Sequence, residues 1–97
     1  MLVGFRSSHL QRCFEDEVLA VRAWGQVAGK GYVRVIRILT AVRDFRDLYR
    51  LSQLRLHPLH GSRSGEYAMT LSGRWRVIVT LEEPGVVVEE VTNHYGD

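Results

Sequence analysis

The chain has 97 residues, of which 45% are hydrophobic and 25% charged, and a formal net charge of +2. Those proportions describe one ordinary folded domain spanning residues 1–97, with enough apolar side chain to build a core without disulfides or metal, and they exclude a disordered chain. No apolar run is long enough to span a bilayer and no basic, then apolar, cleavable leader is visible, so no membrane role is expected.

Cys13 is the single cysteine, so no disulfide can close within the chain and a reducing cytoplasm is the simplest setting. Of the thirteen basic residues only Lys30 is lysine. Arginine's planar fork grips phosphate bidentately and stacks on bases, which fits an RNA or phosphate partner. The same bias fits a GC-rich genome equally well.

Residues 1–5 read as a short apolar strand inside a sheet. Ser8 offers a side-chain cap with Gln11 three positions on, and Leu10, Phe14, Val18 and Val21 then recur at helical spacing. Cys13 beside that stripe is a small buried apolar residue. Trp24-Gly25 closes this helix. Gly29 and Gly31 each cost a helix interior roughly 1 kcal/mol against alanine, so the second helix is expected only from Tyr32. Its stripe is Tyr32, Val35, Ile36, Leu39 and Val42, with Arg34, Arg37 and Arg43 turned away, and the pair forms an antiparallel hairpin. That arginine row is either a solvated face or a nucleic-acid contact. Residues 44–56 alternate charge with Phe45, Leu48, Tyr49, Leu51 and Leu54, an ordered connection with a helical turn packed on the core.

Residues 56–67, Leu-His-Pro-Leu-His-Gly-Ser-Arg-Ser-Gly-Glu-Tyr, have a site-like composition. Pro58 biases His57 toward extended backbone, while Gly61 and Gly65 bracket a polar loop. Histidine's ordinary pKa of about 6.5 suits proton transfer in either direction. His57 and His60, with Arg63 alongside, could move protons and hold an anion, or could be two solvated loop histidines. Residues 66–71 and 74–81 are strand runs joined through Ser72-Gly73, a hairpin signal. A two-residue loop there sets Thr70 opposite Trp75 and Met69 opposite Arg76. It turns Trp75, Val77 and Val79 toward the helices with Ala68 and Thr70, leaving Arg76 on the open face with Tyr67. Glu82-Glu83-Pro84-Gly85 is a second turn and residues 86–92 a third strand, followed by Asn93-His94-Tyr95. If that strand lies centrally, its end could approach the His57 loop. The overall class is α+β: an N-terminal strand, a two-helix hairpin and an antiparallel strand meander.

This order, with Leu56-His57-Pro58-Leu59-His60-Gly61 in the middle, Trp75-Arg76 on the second hairpin strand and His94-Tyr95 at the end, resembles the RelE and ParE toxin superfamily over essentially the whole chain. It looks most like the HigB, or plasmid maintenance killer, branch. The resemblance implies the compact RelE-like ribonuclease fold and a type II toxin that cuts mRNA in the A site of the 70S ribosome, silenced by a helix-turn-helix, HigA-like antitoxin. On that pattern His57 matches the loop histidine, His60 stands where lysine is usual, and Arg76 matches the arginine after the strand aromatic. Asn93-His94-Tyr95 stands where the branch has Asp-Tyr-His.

The implied chemistry is metal-free attack of a 2′-hydroxyl on its neighbouring phosphate, needing a base, an acid and positive charge. His57 or His94 is the expected base, and the other histidine or His60 the acid. Arg76 and Arg63 are expected at the phosphate and Tyr95 on a base or the 2′-hydroxyl, with Arg74, Tyr67 and Asn93 as further RNA contacts. His57, His60 and His94 lack a cysteine or carboxylate at zinc-site spacing, so neither metal nor cofactor is expected. Two rival functions remain open: a ParE-like poison that binds DNA gyrase, and an inactive relative that only binds its antitoxin. Glu82, Glu83, Glu89 and Glu90 read as a solvated acidic edge, and His9 as a surface residue beside a helix cap.

Overall fold

A computed structural model of the chain describes residues 1–93. In chain order the elements are β1 (Val3–Phe5), α1 (Ser8–Glu15), α2 (Glu17–Trp24), α3 (Gln26–Ala41), β2 (His57–Pro58), β3 (Glu66–Ser72), β4 (Trp75–Glu82) and β5 (Gly85–Thr92). Short 3₁₀ turns at Phe45–Arg50, Ser52–Leu54 and Gly61–Arg63 complete them. The strands form one sheet in the order β1-β5-β4-β3-β2, with β1 parallel to β5 and every other pair antiparallel. The expected α+β arrangement is therefore present, including an N-terminal strand and a β3–β4–β5 meander.

The first expected helix is two helices. Its cap is Ser7, not Ser8: Ser7 is extended and its hydroxyl accepts from the Leu10 N–H at 3.2 Å. Asp16 then leaves helical geometry at φ −136°, closes α1 by donating its N–H to the Arg12 carbonyl, and caps α2 by accepting from the Val18 N–H at 3.0 Å. An aspartate that can satisfy a helix's orphan N–H groups competes with helix continuation at its own position. The break moves Val18 off the stripe, where it is 60% exposed, and Ala20 takes the buried place instead.

Helix α3 begins six residues earlier than its glycines suggest. Gly29 and Gly31 are buried, and a Cβ at either would collide with backbone: 2.6 Å from the Val21 nitrogen for Gly29, 2.8 Å from the Leu71 oxygen for Gly31. These glycines let α3 lie against α2 on one side and β3 on the other, so close packing overrides their poor propensity. Tyr32, Val35, Ile36 and Leu39 are fully buried there, and the Tyr32 hydroxyl donates to the Leu10 carbonyl at 2.7 Å. The core joins these to Met69, Leu71, Val77, Val79, Val86 and Val88 on one face of the sheet. Leu48, Leu54 and Leu56 from the packed 45–56 connection complete it.

The β3–β4 register differs from expectation by one residue. Gly73 (φ 50°) and Arg74 form the turn, Ser72 pairs with Trp75, and an irregularity at Leu71 brings Thr70 opposite Arg76 and Met69 opposite Val77. A one-residue slip exchanges the faces of a strand. Tyr67, Met69 and Leu71 therefore face the helices, while Ala68 and Thr70 join Arg76 on the open face. Tyr67 packs its ring edge-to-face on Phe45 at 4.9 Å, opposite the side expected for it. The placement of Trp75, Val77 and Val79 under the helices and of Arg76 on the open face holds as expected.

Replacing Gly31 by alanine in an exposed helix would add stability. Here it should lower stability by about 1–3 kcal/mol through overpacking against the Leu71 carbonyl. Thermal unfolding of Gly31→Ala measures the sign, and a raised Tm would contradict this packing.

Candidate active site on the open face of the sheet

His57 enters the sheet at its edge. It pairs with Ala68, which pairs with Ile78, which pairs with Glu90, so these four side chains form one row across the open face. The next row on that face is Thr70, Arg76 and Thr92. Neighbouring strands lie about 4.8 Å apart, so His57 on β2 and Arg76 on β4 stand two strands and one row apart on the same face. The His57 ring is half-buried, and its Nδ1 donates to the Arg55 carbonyl at 2.8 Å.

Arg76 reaches back toward the turn, its Nη1 donating to the Gly73 carbonyl at 2.7 Å and the Trp75 carbonyl at 3.1 Å. Its Nε and the Thr70 hydroxyl opposite are buried and have no hydrogen-bond partner among the described residues. Unsatisfied buried polar atoms are costly, so two on adjacent strands mark a place suited to a polar ligand. Thr70 was missed from sequence because the one-residue register error put it under the helices. The signal that could have found it is Gly73, which accepts the positive φ that fixes the turn.

The loop 59–65 is tied down over this face. Leu59 packs on Ala68 and Ile78 in a small apolar cluster, and its N–H donates to the Glu66 carbonyl at 2.8 Å. Arg63 carries the main tie, pairing with Glu66 and with Glu90, and the two carboxylates raise its pKa, Glu90 most. Arg63 is thus committed to carboxylates, where sequence reading expected it at phosphate. His60 is exposed at the start of the Gly61–Arg63 turn.

At the other end of the face Arg6 pairs with Glu89 at 2.8 Å and Glu82 at 2.7 Å, and the Thr80 hydroxyl donates to Glu89 at 2.6 Å. A bulge between Val88 and Glu90 lets successive glutamates reach partners on the same side. The expected solvated acidic edge is therefore an ion-pair network for Glu82, Glu89 and Glu90. Hydrogen bonding from Arg6 holds the Glu89 carboxyl below its ordinary value of 4.5.

Cations continue from the site around the sheet's end. Lys30, Arg34 and Arg37, spaced four and three residues apart, share one exposed side of α3. Arg34 Nη2 reaches the Leu71 carbonyl at 3.4 Å, beside the turn that bears exposed Arg74 and leads to Arg76. Asn93 follows Thr92 directly and is half-buried. His94 and Tyr95, both expected in the site, lie outside the described residues.

The described residues build a five-stranded sheet with helices on one face and a histidine and an arginine on the other. The chain is similar in structure to the YoeB/ParE toxin from Agrobacterium tumefaciens, with a TM-score of 0.60 and 15% identity over 98% of this chain and 100% of that one. It is also similar to the YoeB dimer from Staphylococcus aureus, with a TM-score of 0.57 and 12% identity over 98% of both chains. The chain has the YoeB/ParE toxin fold, as the sequence resemblance implied. No family model matches the sequence, and no curated protein matches it.

The Arg6–Glu89 pair sets a pH dependence. Because the folded Glu89 pKa is depressed, its pairing adds stability above the ordinary value of 4.5, and this is lost as pH falls through the folded value. Glu89→Gln should therefore show a shallower loss of Tm between pH 6 and pH 3 than wild type. Parallel curves would refute the contribution.

Proposed function

We propose that the chain is the toxin of a type II toxin–antitoxin pair, of the HigB-like branch, and cleaves mRNA on the ribosome in the cytoplasm. It would be a single toxin domain neutralised by a HigA-like helix-turn-helix antitoxin. The observation that carries this reading is the placement of His57 and Arg76 on adjacent rows of one open sheet face, in a fold shared with YoeB/ParE toxins.

In the proposed reaction a base takes the 2′-hydroxyl proton and O2′ attacks phosphorus. The P–O5′ bond breaks as an acid gives its proton to O5′, leaving a 2′,3′-cyclic phosphate and a 5′-hydroxyl. His57 or His94 serves as base, with the other or His60 as acid. Arg76 balances the charge that builds on the phosphorane oxygens, and the Thr70 hydroxyl adds a donor beside it. Tyr95 stacks on a base or orients the 2′-hydroxyl, and Asn93 is a further RNA contact. Tyr67 and Arg63 leave the RNA-contact set: Tyr67 packs under Phe45, and Arg63 anchors the loop that carries His60. Arg74 and the α3 stripe of Lys30, Arg34 and Arg37 offer phosphate contacts leading to the site.

A gyrase-binding toxin has no chemical use for an imidazole and a half-buried guanidinium on the same sheet face, so this arrangement favours the ribonuclease reading. Primer extension on a reporter mRNA after pulsed expression tests it. Wild type should give codon-phased cuts within translated frames. His57→Ala and Arg76→Ala should each reduce them at least about 100-fold while the proteins stay folded. Growth arrest without cuts would overturn the ribonuclease reading in favour of a gyrase-type poison.

A further inference from the structure

We propose that Arg55 is a positioning residue whose left-handed backbone fixes the tautomer of His57, placing the ring proton on Nδ1 and the lone pair on Nε2. This rests on the assignment of His57 to proton transfer. Among the described residues Arg55 is the non-glycine residue at positive φ, with φ 51° and ψ 43°. That conformation is disfavoured for any residue with a Cβ and is usually taken by glycine or asparagine. A residue held there needs a local reason, and such positions concentrate at functional sites.

The surroundings show how the conformation is enforced. On one side the Ser52–Leu54 turn ends with the Arg55 N–H donating to the Ser52 carbonyl at 3.1 Å, and Leu54 is buried in the core. On the other side Leu56 is buried in the same core, and His57 is already paired with Ala68. The chain must reverse between two anchored leucines, and Arg55 is where it does so. Its side chain is exposed and makes no hydrogen bond among the described residues, so the backbone carries the effect.

The outcome is the 2.8 Å contact between His57 Nδ1 and the Arg55 carbonyl. A carbonyl oxygen only accepts, so Nδ1 is the donor and a neutral His57 keeps its lone pair on Nε2. Which nitrogen of a histidine works is set by the hydrogen bond made at the other. When Nε2 takes a proton, the Nδ1–H bond becomes charge-assisted and stronger, so the same carbonyl steadies the imidazolium. A base that protonates during the reaction is thereby supported in both of its states.

Nitrogen-15 NMR of the histidine-labelled full chain at pH 8 reads the tautomer directly. Wild-type His57 should give a pyrrole-type Nδ1 and a pyridine-type Nε2. Arg55→Gly, which accepts positive φ freely, should keep that signature and cleave ribosome-bound mRNA within about twofold of wild type. Arg55→Val, whose branched side chain resists positive φ, should move His57 toward the Nε2–H tautomer and lower kcat at least tenfold with little change in KM. A wild-type Nε2–H signature, or an unshifted tautomer in folded Arg55→Val, would overturn the proposal. So would a loss of cleavage in Arg55→Gly equal to that in Arg55→Val, which would assign the effect to the guanidinium. If Arg55→Val fails to fold, the wild-type signature and the Arg55→Gly comparison still decide. Full cleavage by His57→Ala beside an intact Nδ1–H signature would remove His57 from the chemistry and leave Arg55 setting its tautomer.

Discussion

The register between β3 and β4 governs which side chains meet the helices and which meet a ligand. With Met69 opposite Val77 and Tyr67 opposite Val79, one face of the hairpin is wholly apolar and fills the space beneath α3. The residues between them, Ala68, Thr70, Arg76 and Ile78, are thereby delivered to the other face. A slip of β4 by one residue would carry the Arg76 guanidinium into the core and turn Trp75, Val77 and Val79 outward, so burial enforces the pairing. The glycines of α3 tighten the same constraint. Gly31 lies on the Leu71 carbonyl, at the point where the strand irregularity corrects the register.

The open face so produced is electrically divided. Near the Arg6 end the carboxylates of Glu82 and Glu89 are matched by a guanidinium, and Glu66 and Glu90 are matched by Arg63. Near the turn end Arg76 makes only backbone hydrogen bonds among the described residues, with Arg74 close in sequence and the α3 cations beyond. An anionic strand laid across the sheet is favoured at the second end and meets already neutralised pairs at the first. Arg63 contributes to this division twice, since it neutralises two carboxylates and also pins the loop that holds His60.

Much of the fold was legible because turn chemistry and periodicity are local. Gly25 at φ 89° ends α2 where the Trp24-Gly25 pair announced it, His57 and Pro58 form a two-residue strand, and the Glu83-Pro84 turn separates β4 from β5. Most of the misreadings trace to information held in tertiary contacts. Gly29 and Gly31 look like helix breakers until the backbone of α2 and β3 is brought against them. The exception is local: Asp16 interrupts the helical stripe from Leu10 to Val21 because its side chain caps the next helix. Arg63 looks like a phosphate ligand until Glu90, distant in sequence, folds onto it. Within the candidate site, His57 and Arg76 were identifiable from the loop and strand motifs. Thr70 depended on a register that sequence alone did not fix, and nothing in an arginine's chemistry announces the left-handed backbone of Arg55.

The measurement closest to the central claim is the end chemistry of RNA exposed to purified protein on ribosomes carrying a defined message. If the open face is the cleavage site, wild type yields 2′,3′-cyclic phosphate and 5′-hydroxyl ends at the A-site codon, and an Arg76→Ala, His57→Ala double variant yields none. Identical cleavage by the double variant, or intact message with wild type, would contradict the account.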